Sequence, residues 1–192
     1  DFGPAADVIN RYLKESGSSS ARSECQFEED ASKEFQLRSA RLLGEAGETT
    51  ERFQCDETIT IEMVCQVHRR IPGLYGYMSL NRNDGTVVWV SDSYDVPPNR
   101  LDELPVGNHR MRIQIPPRTL APGEYSVYVN FTSLSAIDGF NVDSPGTVLA
   151  FYLDDQVSWR GSRRGGYFST LLAWELVEPT ETRMSHPGEE RS

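Results

Sequence analysis

Strict alternation of apolar and polar residues is the feature that most restricts this chain, because only an extended strand with one buried face has a period of two. It is clearest over residues 58–68, where Ile59, Ile61, Met63, Cys65 and Val67 alternate with Thr60, Glu62, Gln66 and His68. It recurs over 124–133, with Tyr125, Val127, Val129 and Phe131 facing one way and Ser126, Tyr128, Asn130 and Thr132 the other. Shorter runs predict strands from Phe35 through Leu37, Ala40 and Leu42, and over 74–81, 86–91, 109–115, 148–153 and 169–177. Asn83-Asp84-Gly85 between two of these runs is a hairpin signal, since Asp-Gly supplies the positive φ that tight hairpin turns require. Leu120-Ala121-Pro122-Gly123 marks another turn. About eight short strands with turns between them, and no helical period after residue 34, predict an all-β sandwich.

Polar arms flank that sandwich. Over residues 1–15, Val8, Ile9, Tyr12 and Leu13 share one helical stripe, Pro4 suits a helix start, and Gly17 with the serines after it ends the pattern. Residues 16–34 read as a linker, 35–177 as the sandwich and 178–192 as a disordered tail rich in Pro, Glu, Thr and Ser. A length of 192 residues fits one domain with arms. The net charge of −10, from 29 acidic and 19 basic residues, argues against nucleic acid or an anionic membrane as the main partner. No apolar run approaches the roughly 20 residues that span a bilayer. The chain starts at Asp1 without a signal-peptide pattern, which suggests a piece of a longer protein. Cys25, Cys55 and Cys65 stand at no metal-ligand spacing and are expected to be free thiols in a reducing compartment, favouring the cytoplasm, with a Cys55–Cys65 bridge as the alternative.

Catalytic constellations are missing. His68, His109 and His186 are isolated, whereas a zinc site needs three or four convergent ligands. Neither a G-x-S-x-G elbow nor an H-E-x-x-H helix is present, and the glycines near 161–166 are not followed by the Lys and Ser/Thr of a phosphate loop. Asp154-Asp155 and the Asp92/Asp95 pair could serve a glycosidase only if held about 5–9 Å apart across a cleft. The expectation is a binding domain without catalytic residues, metal or cofactor.

A sandwich binds through the outward side of its strands or through its loops, because inward positions fill the core. Sugar recognition asks for aromatic rings against the C–H faces of the ring and for amide, Arg or Asp groups toward the hydroxyls. Alternation puts Tyr128, Asn130, Tyr152, Arg110, Arg112 and Gln114 outward, with Tyr77 if Met78 and Leu80 face in, and Trp89 if Val88 and Val90 do. These eight residues are the candidate carbohydrate-binding set. Exposed strand tyrosines and arginines also occur simply as cross-strand pairs.

The ordered run Tyr75-Gly76-Tyr77, Asp84-Gly85, Val88-Trp89, Leu120-Ala121-Pro122-Gly123-Glu124-Tyr125, Ala150-Phe151-Tyr152-Leu153 and Trp174 resembles the C-terminal domain of Wzt-type proteins. These are the ATP-binding subunits of ABC transporters that export O-antigen polysaccharides in bacteria. Gly3-Pro4-Ala5-Ala6-Asp7-Val8-Ile9 through Tyr12-Leu13 is similar to the hinge helix that follows the family's ATPase domain. The resemblance implies an immunoglobulin-like sandwich on the cytoplasmic side of the inner membrane that recognises the finished polysaccharide, often at its non-reducing end. It also implies an upstream ATPase domain, a transmembrane exporter partner, and a homodimer in which the last strand, 169–177, is a candidate for exchange. The family's binding residues vary with the sugar, so the eight candidates rest on alternation alone. The competing readings are a protein-docking domain indifferent to sugars and, behind it, a glycosidase.

Overall fold

The structure is a computed structural model that describes residues 22–134 and 140–176. Its strands are β1 (Glu24–Gln26), β2 (Phe35–Leu43), β3 (Arg52–Gln54), β4 (Ile59–Val67), β5 (Leu74–Arg82), β6 (Val87–Asp92), β7 (Gly107–Ile115), β8 (Gly123–Ser133) and β9 (Phe140–Asp154). They form a four-stranded sheet in the order β1-β2-β4-β7 and a five-stranded sheet in the order β3-β9-β8-β5-β6. The neighbours are antiparallel except β3 and β9, which run parallel.

The strands with the clearest alternation lie inside the sheets and bury one face fully. β4 turns Ile59, Ile61, Met63, Cys65 and Val67 inward, and β8 answers with Tyr125, Val127, Val129 and Phe131. Each such side chain contributes about 1.5–3 kcal/mol on burial. Phe35 meets Phe131 across the two sheets at 4.6 Å between centroids, and within the five-stranded sheet Phe151 stacks on its cross-strand partner Tyr125 at 5.5 Å. The Tyr125 hydroxyl donates to the Ala121 carbonyl at 2.7 Å, tying the turn before β8 to the core.

In β2 the inward residues change from odd to even numbers, from Phe35 and Leu37 to Ala40 and Leu42. A bulge between Leu37 and Ser39 inserts the extra residue that makes this possible. The buried Asp143 carboxylate of β9 reaches across to it, accepting the Leu37 backbone N–H at 2.8 Å and pairing with Lys33 at 2.7 Å. One side chain thus joins the two sheets where the ladder is irregular.

Three expectations change. Residues 22–34 belong to the sandwich and are no linker: Arg22 exchanges backbone hydrogen bonds with Ala150, and β1 buries Cys25. Burying Cys25 against Ala40 offsets the polar composition of its neighbours. Segment 169–177 was expected to be a strand, but its described residues, 169–176, carry no strand pairing. The chain docks as far as Thr170, with the Ala121 N–H donating to the Tyr167 carbonyl at 2.9 Å and Ser169 buried. Leu171, Leu172, Trp174 and Leu176 then stand in solvent, because a strand needs a neighbouring ladder that the single chain does not offer them. Trp89, finally, faces inward, opposite the buried Leu80. The cysteines are unpaired and buried, and burial pushes the Cys55 thiol up to about 11. The hinge helix expected over 1–15 and the tail from 178 lie outside the described residues.

Asp155, with a fully buried side chain, anchors the segment after β9. Burial alone would raise its pKa, but the Ser158 hydroxyl and N–H and the Arg118 guanidinium, 2.8 Å away, outweigh that and hold the carboxyl well below its ordinary range. Its stabilising effect is therefore complete above about pH 4 and is lost as pH falls through the lower folded-state value. Asp155→Asn is expected to cost about 3 kcal/mol at neutral pH. Urea titrations of both proteins across the acid range should show that difference shrinking toward low pH.

Candidate functional site

The outer side of the five-stranded sheet is set by what the inner side buries. With Leu74, Met78 and Leu80 inward, β5 turns Tyr75, Tyr77, Ser79 and Asn81 outward beside Thr132, Asn130, Tyr128 and Ser126 of β8. The Tyr77 and Tyr128 rings meet edge to face, 6.3 Å between centroids, and Tyr75 packs on Tyr94 at 5.6 Å. Asn130 lies in register with Tyr77 and is held from three sides. Its Nδ2 donates to Thr132 Oγ1 at 3.0 Å and to Asn141 Oδ1 at 2.8 Å, and its Oδ1 accepts from the Ser144 hydroxyl at 3.0 Å. Both amide donors are engaged within the protein, so one lone pair of Oδ1 is what Asn130 itself can offer. The result is a partly exposed patch of tyrosines, amides and hydroxyls on a stiff ladder, with the Asp92 carboxylate of β6 in register with Tyr77 at its edge.

Tyr77, Tyr128 and Asn130, each expected outward, are brought together on this face by the β5–β8 pairing. Tyr152 lies on the same face but at its other end, opposite Glu124 of β8 and beside Arg52 of β3, whose guanidinium lies 5.0 Å from the ring centroid. Trp89 is a correction. It stands opposite Leu80, so its indole points to the core, while Val90 opposite Ser79 faces out. A register shift between Leu80 and Asn81 sets this pairing.

Arg110, Arg112 and Gln114 belong to β7, on the other sheet, and do not join the tyrosines. Across that sheet Arg41, Glu62 and Arg112 stand side by side. Glu62, 2% exposed, accepts from Arg41 Nε and Nη2 at 2.9 and 2.6 Å on one oxygen and from Arg112 Nε at 2.7 Å on the other. Arg110 lies 3.9 Å away. Burial would raise the Glu62 pKa, but the Arg112 and Arg41 hydrogen bonds outweigh it and hold the carboxyl below its usual value. Arg112 thus serves a buried carboxylate, and Gln114 pairs across with Thr60.

Sequence reasoning missed Tyr75, Tyr94, Asn141 and Ser144. Tyr75 has the parity of Tyr77, so the alternation of β5 contained the signal. Tyr94 sits beyond β6 in a turn, where no period applies. Among the described residues no group of three or more His, Cys, Asp or Glu could hold a metal ion, and no helix is long and apolar enough to cross a membrane.

The fold is thus a two-sheet sandwich with an aromatic outer face on the five-stranded sheet. The Wzt C-terminal domain family matches residues 27–139, and the chain belongs to that family. Its role accordingly lies with the transporters of O-antigen export. A crystal structure of the C-terminal domain of Wzt is similar in fold, with a TM-score of 0.62 at 9% identity, covering 86% of this chain and 95% of that one. A β-glucosidase from Listeria innocua, solved with glucose, has a TM-score of 0.38 at 12% identity, covering 64% of this chain and 16% of that one; a likeness so low carries no argument. No curated protein matches the chain.

Because Arg112 holds Glu62, Arg112→Ala is expected to lower stability by about 1 kcal/mol, modest since the guanidinium is more than half exposed. Chemical unfolding measures that loss.

Proposed function

We propose that this domain binds an O-antigen polysaccharide, at its non-reducing end, and couples it to export by an ABC transporter on the cytoplasmic side of the bacterial inner membrane. The observation that carries this reading is the outer face of β5 and β8. Tyr77 and Tyr128 offer ring edges and faces to sugar C–H groups, while the tyrosine hydroxyls and the fixed Asn130 carbonyl meet sugar hydroxyls. A preorganised surface loses little side-chain freedom on binding. In the transporter subunit an ATPase domain would hydrolyse ATP, and the sandwich would contribute recognition alone. The immunoglobulin-like character of the sandwich is supported by the Tyr125 corner and the four-plus-five strand division.

Binding is tested with O-polysaccharide released from the bacterium that carries this chain. Isothermal titration should show Tyr77→Ala and Tyr128→Ala each weakening binding about tenfold, equivalent to about 1.4 kcal/mol. Unchanged affinity in both variants would remove the face from the reading.

A homodimer forms part of the proposal, with the last strand exchanged between protomers. Its support is the run of exposed Leu171, Leu172, Trp174 and Leu176, the last two more than nine-tenths exposed, directly after a docked and buried Ser169. Apolar side chains in that number call for a covering partner, and swapping a terminal strand supplies one at low cost. The same run also favours the second reading, a docking domain indifferent to sugars. Light scattering should find a dimer for the whole chain and a monomer after truncation beyond Thr170.

A further inference from the structure

The outer face of the five-stranded sheet does not end at the tyrosine patch. Tyr152 projects from the same side, opposite Glu124, and Glu124 is four residues along β8 from Tyr128. At about 3.4 Å per residue that is a separation of roughly 14 Å, longer than one pyranose ring. The paired outward positions between them are Ser126 and Ala150, both small, so the floor joining the two ends is low. At the far end a shallow open groove of about 260 Å³ is lined by Arg52, Tyr152, Asp154 and Ser162, with Pro122 and Gly123 at its margin.

The groove's chemistry differs from that of the tyrosine patch but suits the same kind of molecule. Arg52 stands in register with Tyr152, and Gln54 with Asp154, so guanidinium and carboxylate lie on neighbouring strands two residues apart. The guanidinium donates only and the carboxylate accepts only, while each sugar hydroxyl does both. A vicinal hydroxyl pair can therefore satisfy Arg52 and Asp154 together, with the Tyr152 ring as the apolar wall. Arg52 and Asp154 offset each other and Glu124, opposite Tyr152, adds a negative charge, which favours a neutral sugar over an anionic group. The Arg52 stack fixes the ring in place beforehand.

We infer that the Arg52–Tyr152–Asp154 groove is a second sugar subsite, so that the domain reads an extended segment of neutral glycan along β8 and β9 as well as a terminal residue. This rests on the tyrosine face being a glycan site. Two linked subsites on one rigid face act on a single ligand, and affinity then rises once the ligand is long enough to reach both.

The test uses size-fractionated fragments from partial acid hydrolysis of the source bacterium's own O-polysaccharide, titrated into the whole chain. Wild type is expected to bind short fragments and to gain about tenfold in affinity when fragments become long enough to span both ends. Tyr152→Ala and Arg52→Gln should each bind short fragments as wild type does and lose the gain, whereas Tyr128→Ala should weaken short and long fragments alike. The gain should also persist at high salt, as neutral sugars require. A wild type without any gain with length, a gain that survives in both groove variants, or a Tyr152→Ala protein weakened equally for short fragments would overturn the second subsite while leaving the tyrosine face standing. Failure of wild type to bind fragments of any length would overturn both.

Discussion

Burying Tyr125, Val127, Val129 and Phe131 along one side of β8 decides what the other side can be. In a strand the two sides are coupled by the pleat, so a register that fills the core also fixes Ser126, Tyr128, Asn130 and Thr132 outward. β8 sits between β5 and β9, and its ladder transmits that choice to Tyr75 and Tyr77 on one side and to Thr147, Ala150 and Tyr152 on the other. A one-residue slip would send the tyrosines into the core and expose the core to water. The outward tyrosine face and the hydrophobic core are thus two consequences of one hydrogen-bonded register.

Three buried carboxylates hold that register where backbone regularity fails or where the chain leaves the sheets. Asp143 bridges to the bulge of β2, Asp155 organises the segment after β9, and Glu62 gathers arginines over the outer side of the other sheet. Each is charge-paired, as a carboxylate this deeply buried must be. The arrangement separates two surfaces of different character. The four-stranded sheet carries a charged lattice whose arginines are occupied with Glu62, while β5 and β8 of the five-stranded sheet turn aromatic, amide and hydroxyl groups outward. Specific recognition of a hydroxyl-rich chain suits the second surface, and the first serves the fold.

Much of this was legible in the strand alternation. The inward and outward sets of β4 and β8 follow from the sequence, as do the hairpin at Asp84-Gly85 and the outward placement of Tyr77, Tyr128, Asn130 and Tyr152. The misplaced residues have identifiable causes. Trp89 was assigned outward because the alternation of Val88, Trp89 and Val90 carries no mark of the register shift in β5–β6 pairing. Arg110, Arg112 and Gln114 alternate as cleanly as the tyrosines, yet alternation says which side of a strand a residue occupies and nothing of which sheet the strand joins. Residues 169–176 have a strand's composition without a strand's neighbour.

The sequence by itself determined the fold class, the core and the two-sidedness of the strands, because a period of two is a local property of consecutive side chains. Only the tertiary structure decided that Tyr77, Tyr128 and Asn130 meet, that Arg112 belongs to Glu62, and that Tyr152 marks the far end of the same face. Those relations depend on which strands become neighbours and in what register. That is settled by hydrogen-bond ladders between segments as distant as β3 and β9, or β4 and β7, and no local pattern within either partner encodes it.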